Sequence, residues 1–251
     1  MEVIVIVIIT VLGASLGSFF NVLIDRVPRK ASIIRPASHC TNCGKRIPIH
    51  HNIPIVSFLV LRGKCASCGA RIHWHHLLVE VLSPLVFVAL YLVYGLHSML
   101  FYKFAVMSAF LIPILFIDAF NHLIPFVLSL PLAAAGFVFA LLPGSEIGIL
   151  NAVVSAVALF CLLFLLAFIW EKLFHKEGLG GGDVVLLPAV ATYFGLLNIP
   201  FVVILACLLG ILFFLIFVRK NQVFAFGNFI ASAAMIWAIA GDFLLHGIGI
   251  A

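Results

Sequence analysis

Charge is what this sequence has least of. Its 251 residues include 14 Lys and Arg against nine Asp and Glu, while 65% of the side chains are hydrophobic. Soluble domains carry about 25% charged residues; this chain carries 9%. So few charges cannot hydrate the outside of a globule of this length, which excludes a soluble enzyme. The same hydrophobicity excludes a disordered chain. A basic N-terminus is also missing. Met1-Glu2-Val3 leads straight into an apolar run, without the positive start of a cleaved signal peptide. No Gly-Lys-Ser/Thr completes the glycine run that ends at Gly182-Asp183, which argues against a phosphate-binding loop.

Long apolar runs are abundant. A helix crosses the hydrocarbon core with about 20 apolar residues. That ruler finds eight segments, near 3–20, 77–96, 101–117, 123–142, 149–170, 184–197, 201–218 and 223–245. The sixth is short and contains Pro188, so it is expected to bend or tuck into protein. The expected fold is an all-α integral membrane protein of about eight transmembrane helices. A small cytoplasmic zinc-binding module separates the first from the second. Residues 1–21 form the first helix, 22–76 the module, and 77–251 a seven-helix membrane domain.

The few cations are placed unevenly. Arg26, Arg29, Lys30, Arg35, Lys45, Arg46, Arg62, Lys64 and Arg71 lie between the first two spans. With eight spans, Lys172, Lys176, Arg219 and Lys220 fall on that same face, and only Lys103 on the other. Cytoplasmic loops collect Lys and Arg, so the N-terminus is expected outside and the polar module inside. Orientation therefore accounts for the net charge of +5 more simply than nucleic-acid binding. Anionic lipid headgroups are a secondary attraction.

The module contains Cys40-Thr41-Asn42-Cys43 and Cys65-Ala66-Ser67-Cys68. Two thiolate pairs of this spacing complete a tetrahedron around one zinc ion. Disulfides are the alternative, and a cytoplasmic loop disfavours them. All four positions are Cys, so the zinc is read as structural. A polar stretch this short has little core, and a metal staple supplies what is missing. His39, His50, His51, His73, His75 and His76 share the module. They read as partly solvated side chains near the membrane, with a second metal site as the alternative.

Acidic residues near lipid carry function by default. Asp118 closes the third span and Asp183 opens the sixth, both on the cytoplasmic side; a plain N-cap is the alternative for Asp183 and a solvated interfacial side chain for Asp118. Two neighbouring carboxylates cannot both ionise easily, so they share a proton. The ionised partner activates water while the protonated one polarises a carbonyl, which is aspartic-protease chemistry. Helix polarity favours Asp183, at a helix N-terminus, as the base. The glycines before it, including Gly180 and Gly182, let backbone approach a substrate strand or the other carboxylate.

These residues resemble the type IV prepilin peptidases, membrane aspartyl proteases of the G-x-G-D group. Gly180-Gly181-Gly182-Asp183 resembles that motif, and Asp118 with Ile124-Pro125 the family's first catalytic stretch. Gly17-Ser18-Phe19-Phe20-Asn21-Val22, the Cys tetrad with Asn52-Ile53-Pro54, Glu80, and Phe226-Gly227 follow in the family's order. Val185, Pro188, Phe126, His75-His76-Leu77 and Asn228 stand where Lys, Ala, Asp or Asn, Arg-Tyr-Pro and Pro are usual.

The resemblance implies an intramembrane aspartyl endopeptidase of the bacterial inner membrane. It would remove the basic leader of type IV prepilins, or of type II secretion pseudopilins, at the cytoplasmic face. N-methylation of the new N-terminus by S-adenosylmethionine would follow. Asp118 and Asp183 would be the catalytic dyad, with Glu80 and Asn21 available to bind substrate or methyl donor. A proton-coupled transporter is the runner-up, and a non-catalytic assembly subunit the third reading.

Overall fold

The structure is a computed structural model that describes residues 1–175, 180–217 and 225–247. Lys176, Gly178, Leu179, Arg219 and Lys220 lie outside the described residues. The chain divides into two compact units, Met1–Val93 and Tyr94–Ala251.

The first unit pairs helix α1 (Glu2–Arg26) with helix α3 (His75–Tyr94). The short helix α2 (Val56–Val60) lies in the polar stretch between them. Gly13 and Gly17 are four apart and face α3. A Cβ on Gly13 would stand 2.7 Å from Pro84 Cα, and one on Gly17 2.9 Å from Glu80 Cα. Small residues at this spacing let two membrane helices approach closely, where packing rather than hydrophobicity drives association. The first helix runs five residues past Asn21.

The second unit contains α4 (Met99–Asn121), α5 (Phe126–Leu141), α6 (Gly148–Phe174), α7 (Asp183–Phe217) and α8 (Gly227–Gly247). Its core is made by α4, α8 and the first half of α7. Leu111, Ile112, Ile114, Leu186, Val190, Ile230 and Ala234 are fully buried there. Helix α6 buries only Ala152 and Ser155. The outer half of α7 exposes Leu208, Ile211, Leu212 and Phe214. Such apolar surface would be expelled by water and is at home in lipid.

Among the described residues five helices are long and apolar enough to cross a membrane, and α5 and α8 contribute shorter apolar stretches. The sixth and seventh expected spans are both present: the 35 residues of α7 are two helical stretches, 183–194 and 196–217, that meet at a sharp break at Gly195. At 1.5 Å per residue an unbroken helix of that length would reach about 52 Å, well beyond a ~30 Å hydrocarbon core. Gly195 takes φ 69°, ψ 177°, a backbone geometry open to glycine alone. Asn151 of α6 serves the break, its Oδ1 accepting the Leu196 N–H at 3.2 Å. The division into two spans was legible in the sequence; the place of the break, at Gly195 rather than between 197 and 201, was not.

Tyr193, fully buried, donates its hydroxyl to Leu132 O of α5 at 3.0 Å. Tyr193→Phe leaves that carbonyl without this donor. It should lower stability by about 1–2 kcal/mol, read as a fall in thermal midpoint with cleavage activity retained.

Candidate active site and cysteine centre

Asp118 sits in the last turn of α4 and is 4% exposed. His122 ends that helix in a left-handed conformation, donating its N–H to Asp118 O at 2.9 Å. The reversal carries the chain into Leu123-Ile124-Pro125 and a new helix. Ile124 thereby returns to the site, where it touches both glycine-bearing segments. A Cβ on Gly182 would come 2.6 Å from Ile124 Cβ, and one on Gly227 would overlap Ile124 Cδ1. The Gly227 position is also 2.9 Å from Asp118 Oδ2.

Asp183 is the first residue of α7, held by a turn in which its N–H donates to Gly180 O at 3.0 Å. Its Oδ2 would lie 3.1 Å from a Gly180 Cβ, and its Oδ1 is buried without a hydrogen-bond partner among the described residues. Asp118 and Asp183 are near enough to act on each other electrostatically. The structure thus brings Asp118 and Ile124 together with Gly180, Gly182 and Asp183, from two separate stretches of chain.

One donor was not anticipated. The Asn228 N–H, at the start of α8, donates to Asp118 Oδ2 at 2.8 Å. Asn228 stands where the family resemblance leads to Pro, which has no N–H to give. Reading helix polarity along the sequence placed Asp118 only at the C-terminus of α4. In three dimensions it also faces the N-terminus of α8.

In the first unit, Asn21 and Glu80 are engaged with backbone. Asn21 Nδ2 donates to His76 O at 3.0 Å, while its Oδ1 is buried without a hydrogen-bond partner among the described residues. Glu80 Oε2 accepts the Ile55 N–H at 2.7 Å and a hydrogen bond from Ser18. Both residues line a cavity of about 1060 Å³.

The cysteines form two equivalent knuckles. Gly44 N–H donates to Cys40 O and Gly69 N–H to Cys65 O, each at 2.9 Å. Both glycines have positive φ, 69° and 71°, which a tight turn after the second cysteine requires. Antiparallel bridges His39–Arg46 and Lys64–Arg71 close the two loops. All four Sγ atoms lie within 4.8 Å of one another, and Cys40 Sγ is 3.8 Å from Cys68 Sγ. A tetrahedron with Zn–S of about 2.3 Å has S···S edges of about 3.8 Å.

The backbone N–H groups of Cys43 and Asn42 hold the Cys40 thiol down to about 6. The Lys45 N–H pulls Cys43 down, but desolvation and the neighbouring Cys40 and Cys68 outweigh it and push Cys43 up to about 11. Four thiols this close cannot all ionise without a cation among them, so the donor set fits a metal. Cys43→Ser removes one of the four donors and should weaken metal binding at this set by at least about 100-fold, since outer-shell losses alone cost about 10–100-fold. Competition with a zinc-specific chelating dye reads this directly.

With this geometry in view, the comparisons with known proteins are specific. The pattern of the bacterial peptidase A24 N-terminal domain matches residues 11–94. That of the type IV leader peptidase family matches residues 105–215. A prepilin leader peptidase/N-methyltransferase of Neisseria gonorrhoeae is 33% identical, covering 92% of this chain and 89% of its own. The chain belongs to the type IV leader peptidase family. A type 4 prepilin-like proteins leader peptide-processing enzyme of Escherichia coli O78:H11 is 32% identical, over 88% of each chain. A prepilin leader peptidase/N-methyltransferase of Myxococcus xanthus is 35% identical over 77% of this chain, which spans 58% of that longer relative. No solved structure matches the chain. Family membership and the apolar helices make it a multi-pass membrane protein.

Proposed function

We propose that the chain is an intramembrane aspartyl endopeptidase that removes the leader of type IV prepilins or pseudopilins. The observation that carries the reading is the meeting of Asp118 and Asp183 at the ends of α4 and α7. Asp118 accepts an amide hydrogen bond at the N-terminus of α8, which suits the carboxylate that acts as base. Asp183, whose buried Oδ1 lacks a hydrogen-bond partner among the described residues, suits the acid. This reverses the assignment that helix polarity gave along the sequence.

Asp118 takes a proton from water, and the oxygen attacks the scissile carbonyl. Asp183 donates its proton to the carbonyl oxygen as the tetrahedral diol forms. Collapse of the diol breaks the C–N bond, with a proton passing to the leaving amine. The glycines Gly180 and Gly182 leave room for an extended substrate beside the carboxylates.

We further propose that residues 22–76 form a zinc-stapled cytoplasmic module, with Cys40, Cys43, Cys65 and Cys68 as ligands. Residues 77–251 would then carry the protease site, and the N-terminus would lie outside, in accord with the clustered cations. S-adenosylmethionine, when bound, supplies an electrophilic methyl group to the new N-terminal amine. The cavity lined by Asn21 and Glu80 fits a ligand of that size, and its carboxylate complements a sulfonium or ammonium cation.

Incubation of the protein in lipid with a prepilin, followed by mass spectrometry, tests this function. A shortened pilin whose mass rises by one methyl group on adding S-adenosylmethionine is the expected result. Intact prepilin together with solute uptake into vesicles would point to transport instead.

A further inference from the structure

Among the Lys and Arg residues, Lys103 alone is expected on the face opposite the cysteine module. It stands in the second turn of α4, whereas Asp118 stands in the last. At 1.5 Å per residue the helix carries it about 22 Å from the aspartate. Lys103 is 6% exposed. Among the described residues it makes neither a hydrogen bond nor an ion pair. Its Nζ lies 4.9 Å from the centroid of the Phe104 ring. That cation–π contact offsets part of the lost hydration but supplies no hydrogen-bond acceptor. Glu146 is near enough to act on Lys103 electrostatically without closing an ion pair. A buried, unpaired charge is costly, and ionisable residues within spans mark binding sites by default.

Lys103 lines a cavity of about 200 Å³, set between α4, the loop before α6, the break in α7 and the end of α8. Glu146, Asn151, Asn198 and Trp237 line it too. Their donors are uncommitted. Asn151 uses only its Oδ1 towards Leu196 N–H and Ser155. The Asn151 and Asn198 amide N–H groups and the Trp237 indole N–H make no hydrogen bond among the described residues. Gly241 keeps the indole nitrogen uncovered, since a Cβ there would stand 3.0 Å from Trp237 Nε1. One ammonium and three neutral donors around one space suit an anion with several oxygens, because charge-assisted hydrogen bonds are the strong ones.

Size and surroundings narrow the ligand. Sites that enclose a whole drug-sized molecule measure about 300–1,000 Å³. This smaller cavity accepts a polar head and leaves the rest of the ligand outside. The surface outside is apolar: Leu197, on the cavity wall, is 82% exposed, and Leu150, beside Asn151, is 76% exposed.

We propose that this cavity binds the headgroup of a membrane phospholipid. The phosphate would sit on Lys103, with Trp237 and the two asparagines as further donors, and the acyl chains would run along the surface at Leu197. Glu146 complements an ammonium group, so the headgroup is zwitterionic, as in phosphatidylethanolamine. The lipid would tie the ends of α4, α7 and α8 together on the side away from the aspartates. The site stands independently of the protease reading, because its test measures lipid and not cleavage.

The full-length protein in mild detergent, stripped of lipid, is offered phosphatidylethanolamine, phosphatidylglycerol or inorganic phosphate. Native mass spectrometry then counts what each chain retains. One phosphatidylethanolamine per chain is expected, in preference to phosphatidylglycerol, with a rise in thermal midpoint. Lys103→Met should lower its retention by about tenfold or more, the worth of one charge-assisted hydrogen bond. Glu146 is exposed, so Glu146→Gln keeps the fold and should abolish the preference for phosphatidylethanolamine. If Lys103→Met does not fold, the headgroup preference of Glu146→Gln decides. The proposal is overturned by a wild type that retains no lipid, or by one that binds inorganic phosphate alone. Undiminished retention by Lys103→Met, or an unchanged preference in Glu146→Gln, overturns it as well.

Discussion

Asp118→Asn and Asp183→Asn each reduce prepilin cleavage by at least about 10³-fold, while the protein still inserts and keeps its thermal midpoint within a few degrees. The size follows from the roles. Asn at 118 keeps the hydrogen bond from the Asn228 N–H, because an amide oxygen also accepts. It cannot take a proton from water. Asn at 183 cannot give a proton to the carbonyl oxygen. General acid–base steps contribute about 10²–10⁴-fold each, and here each role depends on the other. Circular dichroism and melting separate loss of chemistry from loss of fold. Activity in either variant within tenfold of wild type would remove that aspartate from the dyad.

Gly227→Ala has the second largest expected effect, although it adds one methyl group. That carbon would come 2.9 Å from Asp118 Oδ2 and overlap Ile124 Cδ1. Ile124 has nowhere to retreat, because it also presses on Gly182. The strain is relieved by moving the Asp118 carboxylate or the start of α8, and a shift of about 1 Å at reacting groups costs about 100-fold in rate. Alanine near a helix start should leave the helix itself intact, so cleavage should fall about 100-fold with little change in helicity. Ala at a glycine position that meets nothing within 4 Å, such as Gly181, is the control and should cost far less. Equal activity in the two variants would mean the contact does not position the carboxylate.

Much of the fold was legible because membrane helices announce themselves by length and composition. The cysteine cluster was legible because its four sulfurs sit in two local pairs whose spacing brings them together. Asp118 and Asp183 stood out as the acids that lipid makes hardest to explain. What escaped was long-range or depended on backbone. The Asn228 N–H that serves Asp118 belongs to a residue 110 positions away, and no side-chain pattern marks a backbone donor. The close crossing of α1 and α3 had a signal in Gly13 and Gly17. It was masked by the apolar run around them, which reads equally well as lipid-facing. The place of the α7 break escaped because Gly195 and Pro200 both offer a weak point, and the sequence does not say which of them leaves helical geometry. His75 and His76 read as solvated until α1 brought Asp25 beside them.

A shared dyad requires Asp118 and Asp183 to work as one unit. The most direct test compares single-turnover cleavage by Asp118→Asn, Asp183→Asn and the double variant. Groups acting as a unit are strongly non-additive. A double variant within about threefold of the slower single one is the expected result. A double variant whose loss equals the product of the two single losses would show independent contributions and contradict the shared dyad.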